Sequence, residues 1–353
     1  MKIISSLAAA LLAAALAAPA LAEGDKHALP AGSAGAAAPA ASHEGHFDYE
    51  RQKWSFGGFW GQYDKAQLQR GFQVYQQVCV NCHGLSRVSF RNLVQPGGPE
   101  FPELSVKDLA AKWPNRPLAE PNDDGAIADR KGNLLTRPAL LSDPILGPYR
   151  NDKEAKAAQN GAVPPNLSVI AKARDLHNGG FWLNHIGLMA KDVFNGYQEG
   201  GPDYIHALLI SFHDQPPAYG PDANGKLVPL PAEQAKKDSL RCASINVGEA
   251  GDDGKIRPDE CVALNEGLYY NAVYPGHQIH MPPPLVADGQ VPYSDGTPAT
   301  VDQYARDVSA YLMWAADPSL NERKDVGLRM IIYFAILAGL LWLAKRRIWA
   351  SLH

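Results

Sequence analysis

Cys79-Val80-Asn81-Cys82-His83 is the stretch on which the reading of this chain turns. Cys-x-x-Cys-His is the attachment signature of a c-type haem. Its spacing puts two thiols on one short turn, where they can add to the two vinyl groups of a porphyrin. The histidine that follows is then held beneath the iron as a proximal ligand. Two blander readings fail on context. A redox dithiol belongs near a βαβ pattern, and none is evident. A structural zinc site needs two more ligands at tight spacing, and the other cysteines, Cys242 and Cys261, lie far downstream.

The flanks are read for what they do around that group. Asp64 is a good N-cap, and Leu68, Phe72, Tyr75 and Val78 recur at intervals of three or four, so an amphipathic helix leads into the motif. Gly84 is placed to break it. Upstream, Trp54, Phe56, Phe59, Trp60 and Tyr63 cluster among Gly57, Gly58 and Gly61, a packing segment rather than a binding platform. Downstream, Val88, Phe90, Leu93 and Val94 alternate with Arg87 and Arg91, each either a partner for an anionic haem propionate or a solvated residue on a helix face. Short helices are expected over 104–113, 154–159, 168–174 and 203–212, the second ending at Asn160-Gly161. His206 and His213 fall in or beside the last of these and read as packing residues rather than ligands.

Composition fits a body wrapped around a cofactor. Hydrophobic residues make up 46%, and 28 prolines with 32 glycines imply many loops. Of 33 basic residues one precedes residue 23 and four follow residue 328. That leaves 28 against 37 acidic ones between 23 and 328, a net of −9. An acidic body suggests a cationic protein partner and argues against nucleic acid.

The ends place the protein. Residues 1–22 read as a signal peptide, with Lys2, a short apolar run and Ala20-Leu21-Ala22 as a cleavage site. Residues 23–46, rich in Ala, Gly, Pro and Ser, read as a flexible leader whose His27, His43 and His46 are too sparse for a metal site. The haem domain then runs 47–325, and 326–344 is a transmembrane anchor followed by the basic tail 345–353. Lys345-Arg346-Arg347 puts the C-terminus in the cytoplasm and the haem domain in the periplasm of a bacterial cytoplasmic membrane. In that compartment Cys242 and Cys261 are expected to pair, closing a loop that carries Glu249, Asp252, Asp253, Asp259 and Glu260. Residues 301–316 read as a helix with Val301, Tyr304, Val308, Tyr311, Leu312 and Ala315 on one apolar side. Asp317-Pro318 ends that helix, and a polar linker precedes the anchor. The sixth iron ligand comes from Tyr274-Pro275-Gly276-His277-Gln278-Ile279-His280-Met281-Pro282-Pro283-Pro284, where Met281, His277 and His280 are the candidates. The prolines stiffen the loop behind Met281 and remove backbone donors.

Longer segments add specificity. Arg70-Gly71-Phe72-Gln73-Val74-Tyr75 and Phe90-Arg91-Asn92-Leu93 flank the haem motif. Further on come Asn160-Gly161-Ala162-Val163-Pro164-Pro165-Asn166-Leu167-Ser168, Ala173-Arg174, Gly267-Leu268-Tyr269-Tyr270-Asn271, Met281-Pro282-Pro283-Pro284, Asp295-Gly296-Thr297-Pro298-Ala299-Thr300 and Trp314-Ala315-Ala316-Asp317-Pro318. In this order before a C-terminal anchor, over roughly 50–350, they resemble the bacterial type of the cytochrome c1 family, the haem c subunit of ubiquinol–cytochrome c oxidoreductase. The resemblance implies a mainly α fold, a class I c-type cytochrome-like haem domain with long loop insertions and one C-terminal transmembrane helix. It implies one covalently attached haem c on Cys79 and Cys82, ligated by His83 and Met281, with Arg174 beside a propionate. It implies a one-electron carrier, without independent catalysis, between a Rieske iron–sulfur protein and a cytochrome c acceptor, beside cytochrome b in a dimeric complex. Segments near 175–202 and 214–262 look inserted relative to the compact mitochondrial pattern. Two other functions fit the haem motif alone: a membrane-anchored cytochrome subunit of a periplasmic dehydrogenase, and an open-site haem enzyme or sensor.

Overall fold

Helix α1 (Lys65–Gln77) and helix α6 (Val301–Ala316) cross at the centre of the molecule, and the rest of the chain is arranged about that crossing. A computed structural model describes residues 50–113, 118–119, 128, 132, 135–174, 199–221, 227–231, 234, 239–246 and 260–350. The signal peptide and leader read from the sequence, the acidic loop at 247–259 and most of the first inserted segment lie outside them.

Both of these helices start where the sequence supplies a cap. Asp64 accepts from the Gln67 amide at 2.8 Å and opens α1. Thr300 does the same for α6 through Gln303. Their close approach rests on Gly71. A Cβ there would stand 2.1 Å from the Asp307 carbonyl oxygen and 2.6 Å from Tyr311 Cβ, so only glycine lets the backbones meet. Around the crossing Leu68, Val74, Tyr75, Tyr304 and Tyr311 are fully buried. Burying an aromatic or branched side chain of this size stabilises by roughly 1.5–3 kcal/mol.

The single apolar side expected for α6 understates its burial. Ala305, Asp307, Ser309, Ala310, Met313 and Trp314 are buried as well, because α1, α4 (Ile170–Ala173) and α5 (Gly201–Ile210) surround the helix. Its buried carboxylate and serine hydroxyl are satisfied, whereas Tyr311 Oη is buried without a hydrogen-bond partner among the described residues. Asp307 accepts from Arg70 Nε at 2.8 Å and from Gln303 at 2.8 Å, and Ser309 Oγ donates back to the Ala305 carbonyl at 2.7 Å. A buried carboxylate without such partners would cost several kcal/mol.

The remaining expected helices form at α2 (Glu103–Ala111), α3 (Asp152–Ala158), α4 and α5. A 3₁₀ turn over Leu167–Val169 feeds α4. Helix α3 ends at Asn160 and Gly161, both with positive φ. Residues 85–95, read as bearing a helix face, instead form strand β1 (Leu85–Ser89) and a 3₁₀ turn over Phe90–Val94. Strand β1 pairs with β4 (Pro144–Ile145), and β2 (Leu118–Ala119) pairs with β3 (Thr136–Arg137). Leu85 and Val88 are buried while Ser86 and Arg87 are exposed, a spacing of three that goes with the irregular register of β1 against β4.

Short antiparallel ribbons decorate the helical core. In the second inserted segment, β6 (Ala218–Pro221) lies between β7 (Leu227–Pro229) and β8 (Leu240–Arg241), and β9 (Ser244–Asn246) pairs with β10 (Glu260–Val262). Cys242, buried between β8 and β9, is bonded to Cys261 of β10. The pairing expected from compartment is therefore present in the structure. A further ribbon, β5 (Phe212–His213), β11 (Tyr269–Asn271) and β12 (Gln278–Ile279), brings the chain to Met281.

Helix α7 (Leu320–Trp349) closes the described chain. The expected polar linker is not a separate element, because residues 320–326 form the first turns of the same helix. Asn, Glu, Arg, Lys and Asp in this stretch are compatible with helix, and only Asp317-Pro318-Ser319 separates α7 from α6. At 1.5 Å per residue the 30-residue helix is about 45 Å long. Its apolar part is exposed along its whole length, as a segment surrounded by lipid would be.

Candidate functional site

The haem motif sits where α1 runs out. The helix stops at Gln77, before Gly84 could break it, and Cys79–Asn81 tightens into a 3₁₀ turn. The amides of Cys82 and His83 both donate to the Cys79 carbonyl, at 3.1 and 2.9 Å. Two thiols and an imidazole are thus presented by a single hydrogen-bonded turn. Gly84 has another role. A Cβ on it would lie 2.5 Å from the Gly147 amide nitrogen, so two glycines let the loop after β4 pass directly behind His83.

The orientation of His83 comes from far along the chain. Its Nδ1 donates to the Pro165 carbonyl at 2.8 Å. The neighbouring Leu167 amide donates to the Gly84 carbonyl at 2.9 Å, and Tyr75 Oη donates to the His83 carbonyl at 3.1 Å. With the Nδ1 proton engaged, Nε2 carries the lone pair and is the nitrogen free to ligate a metal. A backbone acceptor on the far nitrogen is the usual support of a metal-binding histidine. Burial holds the ring below the usual histidine pKa, and the Pro165 bond only partly offsets that. The ring is therefore neutral at pH 7, the state a ligand needs.

The thiols point the same way. Cys79 and Cys82 are both unpaired and half-buried. Burial, reinforced by the neighbouring Cys82, pushes the Cys79 thiol up to about 12. A redox dithiol works through a lowered thiol pKa, the opposite direction to that of Cys79. Among the described residues there is no group of three or more His, Cys, Asp or Glu that could hold a metal ion, which removes the zinc reading there. The residues fit a haem: two thiols free to bond to its edge, and one neutral imidazole with its inner nitrogen anchored.

The candidates for the second ligand separate. His277 is used by the fold. It takes a positive φ of 59°, its amide donates to Tyr274 and its carbonyl accepts from Asn271, closing the turn between β11 and β12. Its ring Nδ1 lies 3.3 Å from the Asn271 carbonyl. His280 is exposed, whereas Met281 is half-buried. After the prolines the chain re-enters the core at Leu285, in the same apolar cluster as Val80, Leu85 and Leu167. Arg174 is exposed at the end of α4, and among the described residues its guanidinium has no hydrogen-bonding partner. Arg87 and Arg91 are also exposed. His206 is buried against Asp302 at 2.9 Å, and His213 packs near the Tyr270 ring, so neither is a ligand.

Pro165 was quoted above only as part of a family segment. Its role is carried by a main-chain oxygen, which no side-chain pattern marks. The paired prolines, which bar helix and hold the backbone extended, were the only local signal.

A thiol pair and an anchored histidine on one turn, in a helical body continued by one membrane-length helix, define a membrane-anchored c-type cytochrome. The family model described as the Cytochrome C1 family matches residues 54–352. Cytochrome c1 of Blastochloris viridis is 40% identical over 322 residues, 91% of this chain and 93% of that one. Cytochrome c1 of Rhodospirillum rubrum is 38% identical over 310 residues, 88% and 90%. A Bradyrhizobium diazoefficiens protein named cytochrome b/c1 is 38% identical over 315 residues, 89% of this chain but only 37% of that longer polypeptide. The chain belongs to the cytochrome c1 family.

Proposed function

We propose that this chain is the haem c subunit of a ubiquinol–cytochrome c reductase, passing single electrons from a Rieske iron–sulfur protein to a cytochrome c. One haem is held covalently by Cys79 and Cys82. When bound, its iron supplies the one-electron couple. His83 would ligate it through Nε2, Met281 would offer a neutral sulfur, and Arg174 would meet a propionate. Pro165 keeps the imidazole in one tautomer and one orientation.

The observation that carries this reading is the 2.8 Å bond from His83 Nδ1 to the Pro165 carbonyl. It prepares one imidazole nitrogen for a metal beside two unpaired thiols. The turn that engages His277, and the exposure of His280, support Met281 over either histidine. The close crossing of α1 and α6 beside the motif supports a class I-like haem domain.

The relative named cytochrome b/c1 bears both names in one polypeptide, which supports a place beside cytochrome b, in a dimeric complex. Lys345-Arg346-Arg347 at the end of α7 supports a cytoplasmic C-terminus and a periplasmic haem domain. A removable signal at 1–22 belongs with that topology.

Met281→Leu tests the ligand set. The haem should stay attached while its potential falls markedly and the sulfur-to-iron charge-transfer band of the ferric protein disappears. An unchanged potential and spectrum would move the ligand elsewhere. Co-purification of the tagged chain with a b-type cytochrome and an iron–sulfur protein tests the partners.

A further inference from the structure

The glycine-rich aromatic segment near residue 55 has no part in holding the haem, yet it is tied to the membrane helix by an unusual contact. Lys324, on the second turn of α7, donates to three main-chain carbonyls of one loop. These are Phe56 at 2.6 Å, Gly58 at 2.7 Å and Gly61 at 3.0 Å. An ammonium group has three donors, and all three are used. The loop is wound to make this cage. A Cβ on Gly61 would stand 1.9 Å from the Gly57 carbonyl oxygen and 2.6 Å from that of Ser55, so only glycine lets the loop fold back on itself at its third caging residue.

More ties cross the same joint. The Tyr63 amide donates to Asn321 Oδ1 at 3.1 Å, and the Tyr63 hydroxyl is shared between the carbonyls of Met313 and Asp317, at 3.3 and 3.1 Å. Arg323 grips Asp317 through two nitrogens at 2.6 and 2.7 Å, and Lys172 of α4 reaches the same carboxylate at 2.8 Å. Asp317-Pro318-Ser319, the short link between α6 and α7, would otherwise be a hinge. Beside the cage, Phe59 and Trp60 are 59% and 71% exposed. With Leu328 and Ile331 they line a groove of about 370 Å³ where the apolar part of α7 begins. Exposed aromatic side chains at that level belong in the headgroup region of a bilayer.

We propose that Lys324 is a positioning residue for electron transfer: by caging itself in the 56–61 loop it locks the haem domain to the membrane helix at one height and tilt, with Phe59 and Trp60 as a second point of attachment to the membrane surface. The proposal rests on the electron-carrier reading above, because only a relay has a use for a fixed haem height.

The test uses the full chain in its native membranes. Lys324→Met keeps the length and removes the donors. Lys324→Arg keeps charge and donors. The angular spread of the ferric haem signal in oriented membranes, by electron paramagnetic resonance, reads the lock directly. The methionine variant should show a broader spread and several-fold slower electron entry, with an unchanged haem potential, and the arginine variant should restore both. A spread identical to wild type, or a potential that shifts along with it, would overturn the proposal. Should the methionine variant not accumulate, Lys324→Gln, with two donors on a shorter stem, should give an intermediate spread, and no broadening there would overturn it equally. Failure of the ligand assignment would show separately, as a bis-histidine spectrum in the wild-type protein.

Discussion

Replacing Gly71 by alanine sets two physical effects of opposite sign against each other. In an exposed helix the change stabilises by about 1 kcal/mol, because glycine has more backbone freedom to lose. Here the new methyl would sit 2.1 Å from the Asp307 carbonyl oxygen and 2.6 Å from Tyr311 Cβ. Contact at normal van der Waals distance requires the helices to part by about 1 Å, and a gap of that size forfeits a quarter to a half of each atomic attraction across it. Phe72, Tyr75 and Tyr311, whose rings meet at 5.6 and 6.0 Å over this seam, would all be affected. Overpacking of this kind costs typically about 1–3 kcal/mol and occasionally more. The backbone oxygen cannot move aside as a side chain could, so the upper part of that range applies. The net loss is about 2 kcal/mol, and the midpoint of thermal unfolding falls by about 4–8 °C. Circular dichroism of the haem-loaded, detergent-solubilised protein measures it. A midpoint that rises, as helix propensity alone demands, would refute the packing argument.

Other outcomes follow from particular contacts. His206 is held below the usual histidine pKa by burial, only partly offset by Asp302, with Arg306 disfavouring the charge further and Asp203 slightly favouring it. Its folded pKa is depressed, so its contribution is fully present above about pH 6.5 and is lost as pH falls below that, by up to about 1.4 kcal/mol per unit. Unfolding midpoints at pH 7.5 and 5.5 should differ more in the wild type than in His206→Gln, and equal differences would remove His206 as the cause. Replacing Cys242 and Cys261 together by alanine opens a link 19 residues apart in sequence. It should cost about 3 kcal/mol by the chain-entropy estimate and leave the axial-ligand spectrum unaltered, with melting curves and visible spectra as the check. Electron transfer to a basic cytochrome c should slow as salt is raised, because the Debye length shrinks from about 30 Å at 0.01 M to about 8 Å at 0.15 M. A stopped-flow rate indifferent to salt would show that the acidic body does not steer the partner.

Several features were legible without coordinates because their cause is local. Cys79, Cys82 and His83 need only their spacing to share a turn. Asp64 and Thr300 need only the following amides to cap a helix. The anchor is a matter of composition over eighteen residues or more, and the pairing of Cys242 with Cys261 followed from their being the only thiols left. The misreadings were local signals overruled by neighbours. Arg87 and Arg91 among Val88, Phe90, Leu93 and Val94 suit a helix face, but Leu85–Ser89 pairs with β4. The polar run 320–326 suits a linker, but Lys324, Asn321 and Arg323 each find a partner that rewards helix.

What only the tertiary structure decided is which groups distant in sequence share a bond. From 82 residues away, Pro165 engages Nδ1 of His83 and leaves Nε2 free. Arg70 makes Asp307 tolerable in the core across 237 residues, and Lys324 meets the Phe56 carbonyl across 268. Two of these contacts end on main-chain oxygens, which every residue possesses and which leave no trace in residue type or period. The sequence by itself determined that a haem is bound and that the chain is anchored. Its fold determined how the ring of His83 is aimed and which main-chain groups Lys324 meets.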